Sequence, residues 1–187
     1  MGLGEVERLR KDYELTLDWK PFFLRPETPP EGMPVPDYVR ERRKDPDNPL
    51  KARARALGLT MVEREVLPST RRAHEAAEFA RDRGVLEPMH AALLRRYWSN
   101  GEDLYDLQVL RGAASEVGLD PDELQRAIEG QSYTSAVERA VAEAQTIGVR
   151  AVPLFVVRDE LAIEGAQEER VFRQAFAQLG IAPKPTA

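Results

Sequence analysis

The chain has 187 residues, of which 42 % are hydrophobic and 32 % charged, with a formal net charge of −5. That composition supports one domain, or one domain carrying a large insertion, with enough apolar residues for a core. No basic block stands ready for phosphate backbones, no apolar run nears the ~20 residues of a membrane span, and no signal-peptide core is present. A cytoplasmic protein that meets neither nucleic acid nor membrane is expected. With no cysteine anywhere, disulfides, thiolate catalysis and cysteine metal sites are excluded within this chain.

From the front, Val6 and Leu9 are spaced for one helical face within Glu5–Tyr13. "ELTLDWK" (Glu14–Lys20) then alternates, with Leu15, Leu17 and Trp19 on one side, and predicts a half-buried strand. Eight of the fourteen prolines fall between Pro21 and Pro49, so that stretch reads as a long loop with a short helix near Asp37–Arg43. The middle is helical. "PSTRRAHEAAEFARDRG" offers Ser69 or Thr70 as N-cap and Gly84 as stop. "EPMHAALLRRYWSNG", "LQVLRGAASEVG" and "DPDELQRAIEG" follow, the last with an Asp cap and Pro at its first position. "SYTSAVERAVAEAQTIG" runs to Gly148. Two short strands, Pro153–Arg158 and Leu161–Glu164, are joined so tightly that they must pair antiparallel. A final helix, "QEERVFRQAFAQLG", turns Val171, Phe172, Ala175, Phe176 and Leu179 inward, with acids in its first turn.

The residues that carry chemistry elsewhere are sparse. His74 and Glu78 stand four apart on one helix, but no third ligand accompanies them and His90 lies on another helix, so no metal site is expected. No nucleophile elbow, phosphate loop or dinucleotide fingerprint occurs. Trp19, Phe22 and Phe23 read as core, with Pro21 and Phe22 also placed to line a groove. Gly165, Ala166 and Gln167 open the last helix, where ordinary capping or an anionic ligand group would both suit the N-terminus.

Three segments together resemble a known family. "LDWKPFFLRPETPPEG" resembles a W-[RK]-P-F-x-L-x-P segment, "PSTRRAHEAAEFARDRG" a P-x-T-x-x-A-H segment, and "GVRAVPLFVV…EGAQ" a G-V-x-x-V-P-x-F-V…G-A-Q signature. In their order they resemble those of the DsbA-like thioredoxin-fold family, specifically its cytoplasmic FrnE-like branch. The resemblance implies a thioredoxin-like α/β fold with a large inserted helical domain: residues 1–35 and 133–187 form the thioredoxin part and 36–132 the insert. It also implies a cis Val152–Pro153 peptide, with Ala151, Val152 and Pro153 as a ledge whose backbone groups dock a substrate as a short added strand. Pro21, Phe22, Gly165, Ala166 and Gln167 become candidate ligand-binding residues.

The departure from the family is at the front. Members begin with a strand and then C-x-x-C at the first helix, whose dipole activates the thiolate. Here Met1 and Gly2 match the aliphatic and glycine positions that follow, so the first core strand and both cysteines are expected ahead of Met1. A truncated front is the simplest account, and a natural cysteine-less homologue is its rival. The expected function is a thiol–disulfide oxidoreductase or isomerase, redox-inactive as given, acting on a thiol- or disulfide-bearing protein or small molecule, with homodimerisation open. No cofactor is expected. Two alternatives stand beside it: a glutathione-dependent isomerase or transferase of the kappa and 2-hydroxychromene-2-carboxylate isomerase type, with glutathione as cofactor, and a cysteine-less peptide-binding or chaperone-like module. Without the first strand the sheet should be gapped, or filled by another segment or a second copy.

Overall fold

A computed structural model of the chain describes residues 2–46, 48–56 and 58–185. Met1, matched above to the family's aliphatic position, lies outside them. Two compact units emerge: Met1–Asp18 together with Ala144–Ala187, and Trp19–Glu143.

The larger unit is helical. It holds two short helices first, α2 (Asp37–Lys44) and α3 (Pro49–Ala56), and a minimal ladder in which β1 (Met33–Pro34) pairs antiparallel with β2 (Val66–Leu67). Then come α4 (Arg71–Asp82), α5 (Leu86–Trp98), α6 (Leu107–Glu116), α7 (Pro121–Glu129) and most of α8 (Thr134–Thr146). Each of α4 to α7 presents an apolar stripe, and the stripes meet around Phe79, Met89, Leu110 and Leu124, none more than 1 % exposed. Asp106 and Asp120 cap α6 and α7 by accepting hydrogen bonds from backbone N–H groups of the first turn, the donors a helix start leaves unpaired. At α4 the Thr70 side chain makes no such bond. The buried Glu75 carboxylate accepts from the Thr134 hydroxyl at 2.6 Å, and the Tyr133 hydroxyl donates to Asp82 at 2.8 Å, fastening α4 to the start of α8.

The smaller unit joins the two ends of the sequence. It contains α1 (Gly2–Leu9), the end of α8, the hairpin β3 (Leu154–Val157) and β4 (Leu161–Glu164), and α9 (Glu169–Gln178). Its core is Leu9, Tyr13, Ile163, Phe172, Ala175 and Phe176, with Leu15, Phe155 and Val157 packed against them. Two edge-to-face aromatic pairs knit it, Tyr13–Phe176 and Phe155–Phe172, each with ring centroids 4.9 Å apart. The tail closes on α1's end: the Lys184 backbone N–H donates to the Asp12 carbonyl at 2.6 Å, and its ammonium to the Arg10 carbonyl at 2.7 Å.

One predicted strand does not form. Glu14–Lys20 shows the expected alternation, with Leu15, Leu17 and Trp19 half-buried and Thr16, Asp18 and Lys20 exposed, yet it joins no ladder. The side-chain pattern is that of a strand, but no described residue pairs with its backbone as a neighbouring strand would. Among the described residues the sheets are two separate two-stranded ladders, β1–β2 in the larger unit and β3–β4 in the smaller, so β3 and β4 have one paired edge each. Two elements went unread in the sequence. The helix α3 was signalled by "NP": Asn48 accepts from the Leu50 N–H at 2.9 Å, ahead of Pro49 at the first helical position. The β1–β2 ladder, two residues a side, left no periodic trace.

Candidate functional site

The hairpin positions the proline ledge. β3 and β4 pair Leu154 with Glu164 and Phe155 with Ile163, and in the same register the Gly165 N–H donates to the Pro153 carbonyl at 2.8 Å. That bond makes 153/165, 155/163 and 157/161 the pairs that exchange hydrogen bonds. The backbone groups of Leu154 and Val156 therefore point off β3's far edge, and those of Ala162 and Glu164 off β4's. The Val152–Pro153 peptide is cis. Ala151 is exposed, Val152 is 44 % exposed and Pro153 half-buried.

The same bond brings Gly165, Ala166 and Gln167 beside Pro153. Gly165 has φ +79°, a conformation that a side chain would strain. The Gln167 N–H donates to the Gly165 carbonyl at 2.9 Å, and its side-chain amide to the Glu164 carbonyl at 2.8 Å. Gly2, at the start of α1, completes the surroundings. A Cβ there would stand 3.0 Å from the Phe155 ring and 3.3 Å from the Pro153 ring, so the helix start approaches the proline only because residue 2 is glycine. Gly2 was matched to the family in the sequence, but its contact with Pro153 could not be read there. Gly2, Ala151–Pro153, Phe155 and Gly165–Gln167 include no titratable or nucleophilic side chain. They offer apolar surface, backbone groups and one primary amide, which can dock a chain but cannot move a proton or attack a bond.

Pro21 and Phe22 belong to the helical unit. Pro21 is buried and Phe22 half-buried, and the Phe22 backbone is hydrogen-bonded by His74. The neighbouring rings follow suit: Phe23 meets His74 edge-on at 5.0 Å, and Trp19 stacks on His90 at 4.3 Å. Burial, with a smaller contribution from the nearby His90, lowers His74 to about 4. Burial likewise lowers His90 to about 4, with Glu87 opposing. Both rings are neutral at pH 7. Glu78 is paired with Arg81 at 2.8 Å rather than shared with His74. Among the described residues no group of three or more His, Cys, Asp or Glu side chains converges on a metal position.

Known proteins agree with this architecture. Residues 1–177 match the DSBA-like thioredoxin domain, and the chain belongs to that family, with the DsbA-like thioredoxin fold. Its architecture is close to the crystal structure of a probable DsbA oxidoreductase from Streptomyces coelicolor, with TM-score 0.82, 25 % identity, and coverage of 100 % of this chain and 86 % of that one. In sequence it is 26 % identical over 180 residues to the uncharacterised protein YwbO of Bacillus subtilis, spanning 95 % of this chain and 88 % of the relative. A 2-hydroxychromene-2-carboxylate isomerase of Sphingobium xenophagum is 33 % identical over 86 residues, 46 % of this chain and 44 % of the enzyme.

Proposed function

We propose that this chain is a FrnE-like member of the thiol–disulfide oxidoreductase and isomerase line, cytoplasmic, that docks an extended thiol- or disulfide-bearing polypeptide at Ala151–Pro153 and has no redox chemistry of its own. The observation that supports this reading is the ledge itself: an exposed Val152 next to Pro153, braced by Gly165 and met by the start of α1. Membership of the DSBA-like thioredoxin family supports the thiol–disulfide part of the reading. The chain has no cysteine, and a thiolate is the nucleophile of thiol–disulfide exchange.

The test has two arms. Insulin mixed with dithiothreitol should precipitate at the same rate with and without this chain, and acceleration would refute the absence of redox chemistry. A reduced, carboxymethylated protein should bind, and Val152→Pro, which removes the backbone N–H before Pro153, should weaken that binding. Binding unaffected by the substitution would refute the ledge.

The partial match to a hydroxychromene-carboxylate isomerase favours a second reading, glutathione binding with the tripeptide held near Gly165–Gln167. Calorimetric titration with glutathione separates the two. Saturable binding lost in Gln167→Ala supports the isomerase line, and no heat supports the first reading.

A further inference from the structure

On the side of the hairpin away from β3, a groove of about 410 Å³ runs between β4 and α9. One wall is the edge of β4 with which no described strand pairs. Because 161 and 163 hydrogen-bond to β3, the N–H and C=O of Ala162 point outward into this space. The Glu164 carbonyl also points outward, and Gln167 already caps it at 2.8 Å. The other wall is α9, where Val171, Gln174 and Gln178 share one stripe of the helix, and Gln174 and Gln178 are exposed. Leu161 and Ile163 supply apolar lining between the walls.

We propose that this groove binds an extended, uncharged peptide segment as an added strand on β4. The chemistry of the walls selects it. A strand edge offers one donor and one acceptor per two residues, which an extended backbone matches. Gln174 and Gln178 are one helical step of four apart, a rise of about 6 Å, close to the roughly 6.6–6.8 Å two-residue repeat of an extended chain. Each amide both donates and accepts, so the pair can bond successive outward peptide groups of a strand whose other edge lies on Ala162. No Lys or Arg lines the groove and Glu164 is its one charged side chain. Phosphates and carboxylate ligands are therefore disfavoured, and a neutral backbone with small or branched side chains fits. The site involves neither Val152–Pro153 nor any thiol, so it stands or falls apart from the function proposed above.

The experiment is a titration of the ¹⁵N-labelled chain with acetyl-Thr-Val-Thr-Val-Thr-amide, followed by amide shifts. The expected result is saturable movement of the Ala162 backbone amide and of the Gln174 and Gln178 side-chain amides. Ala162→Pro removes the outward N–H without touching the β3 ladder, since proline is tolerated on an edge; it should weaken binding about tenfold, as one lost hydrogen bond does. The double variant Gln174→Ala/Gln178→Ala, at exposed positions, should weaken it further while the hairpin resonances stay in place. Movement confined to Val152–Val156, or none up to millimolar peptide, overturns the proposal. So does concentration-dependent movement of the same amides without peptide, which would make a second copy the occupant.

Discussion

The two units of this chain satisfy their backbones in different ways. In the helical unit, α4 to α7 bond their own N–H and C=O groups internally, and what remains is finished by Asp106, Asp120 and a shared apolar core. The smaller unit depends on strands, and a strand bonds nothing by itself. Two four-residue strands pair with each other and leave an outer edge on each, while Glu14–Lys20 keeps a strand's burial pattern with no ladder at all. Helical structure here is complete locally; sheet structure is complete only with a neighbour.

The largest effect that should separate the units is in the core. Leu110→Ala, at a position with no exposure, should destabilise by about 3–5 kcal/mol through lost burial and a cavity. Urea unfolding would read it as a lower midpoint at unchanged slope. Val156→Thr, on the open edge and 48 % exposed, should change stability by less than about 0.5 kcal/mol. Equal losses at the two positions would mean that β3's outer face is covered after all.

The next effect is acid sensitivity of the helical unit. His74 and His90 titrate near 4 in the folded chain, below the ~6.5 of an unfolded histidine. As pH falls from about 6.5 toward 4 the unfolded chain takes up these protons and the folded chain does not, so stability declines across that window and flattens below it. Full expression of a shift that size would be about 3 kcal/mol for each ring. Both residues are half-buried rather than fully enclosed, so a loss of roughly half that is expected. His90→Gln should flatten part of the slope in denaturation curves taken between pH 7 and 4, and an unchanged slope would place the titration elsewhere.

Smaller still is the strain at the ledge. Gly2→Ala sets a methyl 3.0 Å from the Phe155 ring. It should cost about 1 kcal/mol by overpacking, with a lower thermal midpoint and the helical core unaffected. The subtlest reading is hydrogen exchange. Leu154 and Val156 amides, which point off the edge, should exchange at least about tenfold faster than those of Phe155 and Val157. Similar protection at all four would show that something pairs with β3's outer edge.

What the sequence made legible follows the same division. The helices α4 to α7 announced themselves through apolar stripes and glycine stops, and α7 through its Asp120 cap as well, because those signals act within a few residues. The hairpin was legible from its short connection, and Pro153 from its flanking motif. The Glu14–Lys20 alternation was real but insufficient: it reports which side chains are shielded, not whether a neighbouring backbone exists. Ledge residues 151–153 and 165–167 were read as two ends of one signature, with separate roles and no stated contact. Only the register that puts Gly165 opposite Pro153 joins them into one place. Trp19 was read as core, but its partner His90, and the His74 that bonds the Phe22 backbone, lie too far along the chain for any local pattern to name them.

The stitching of Lys184 to Asp12 and Arg10 has a temporal consequence. The smaller unit is made from the first eighteen residues and the last forty-odd, so its two parts leave the ribosome far apart in time. At 5–20 residues per second the wait is roughly ten to thirty seconds. Throughout it α1 has no α9 to lie against, and an eight-residue helix is not stable alone. Residues 19–143 emerge with their whole core already in hand. Residues 1–18 therefore wait for the packing surface that covers them, and Leu9 and Leu15 gain Phe172, Ala175 and Phe176 only when the final helix arrives.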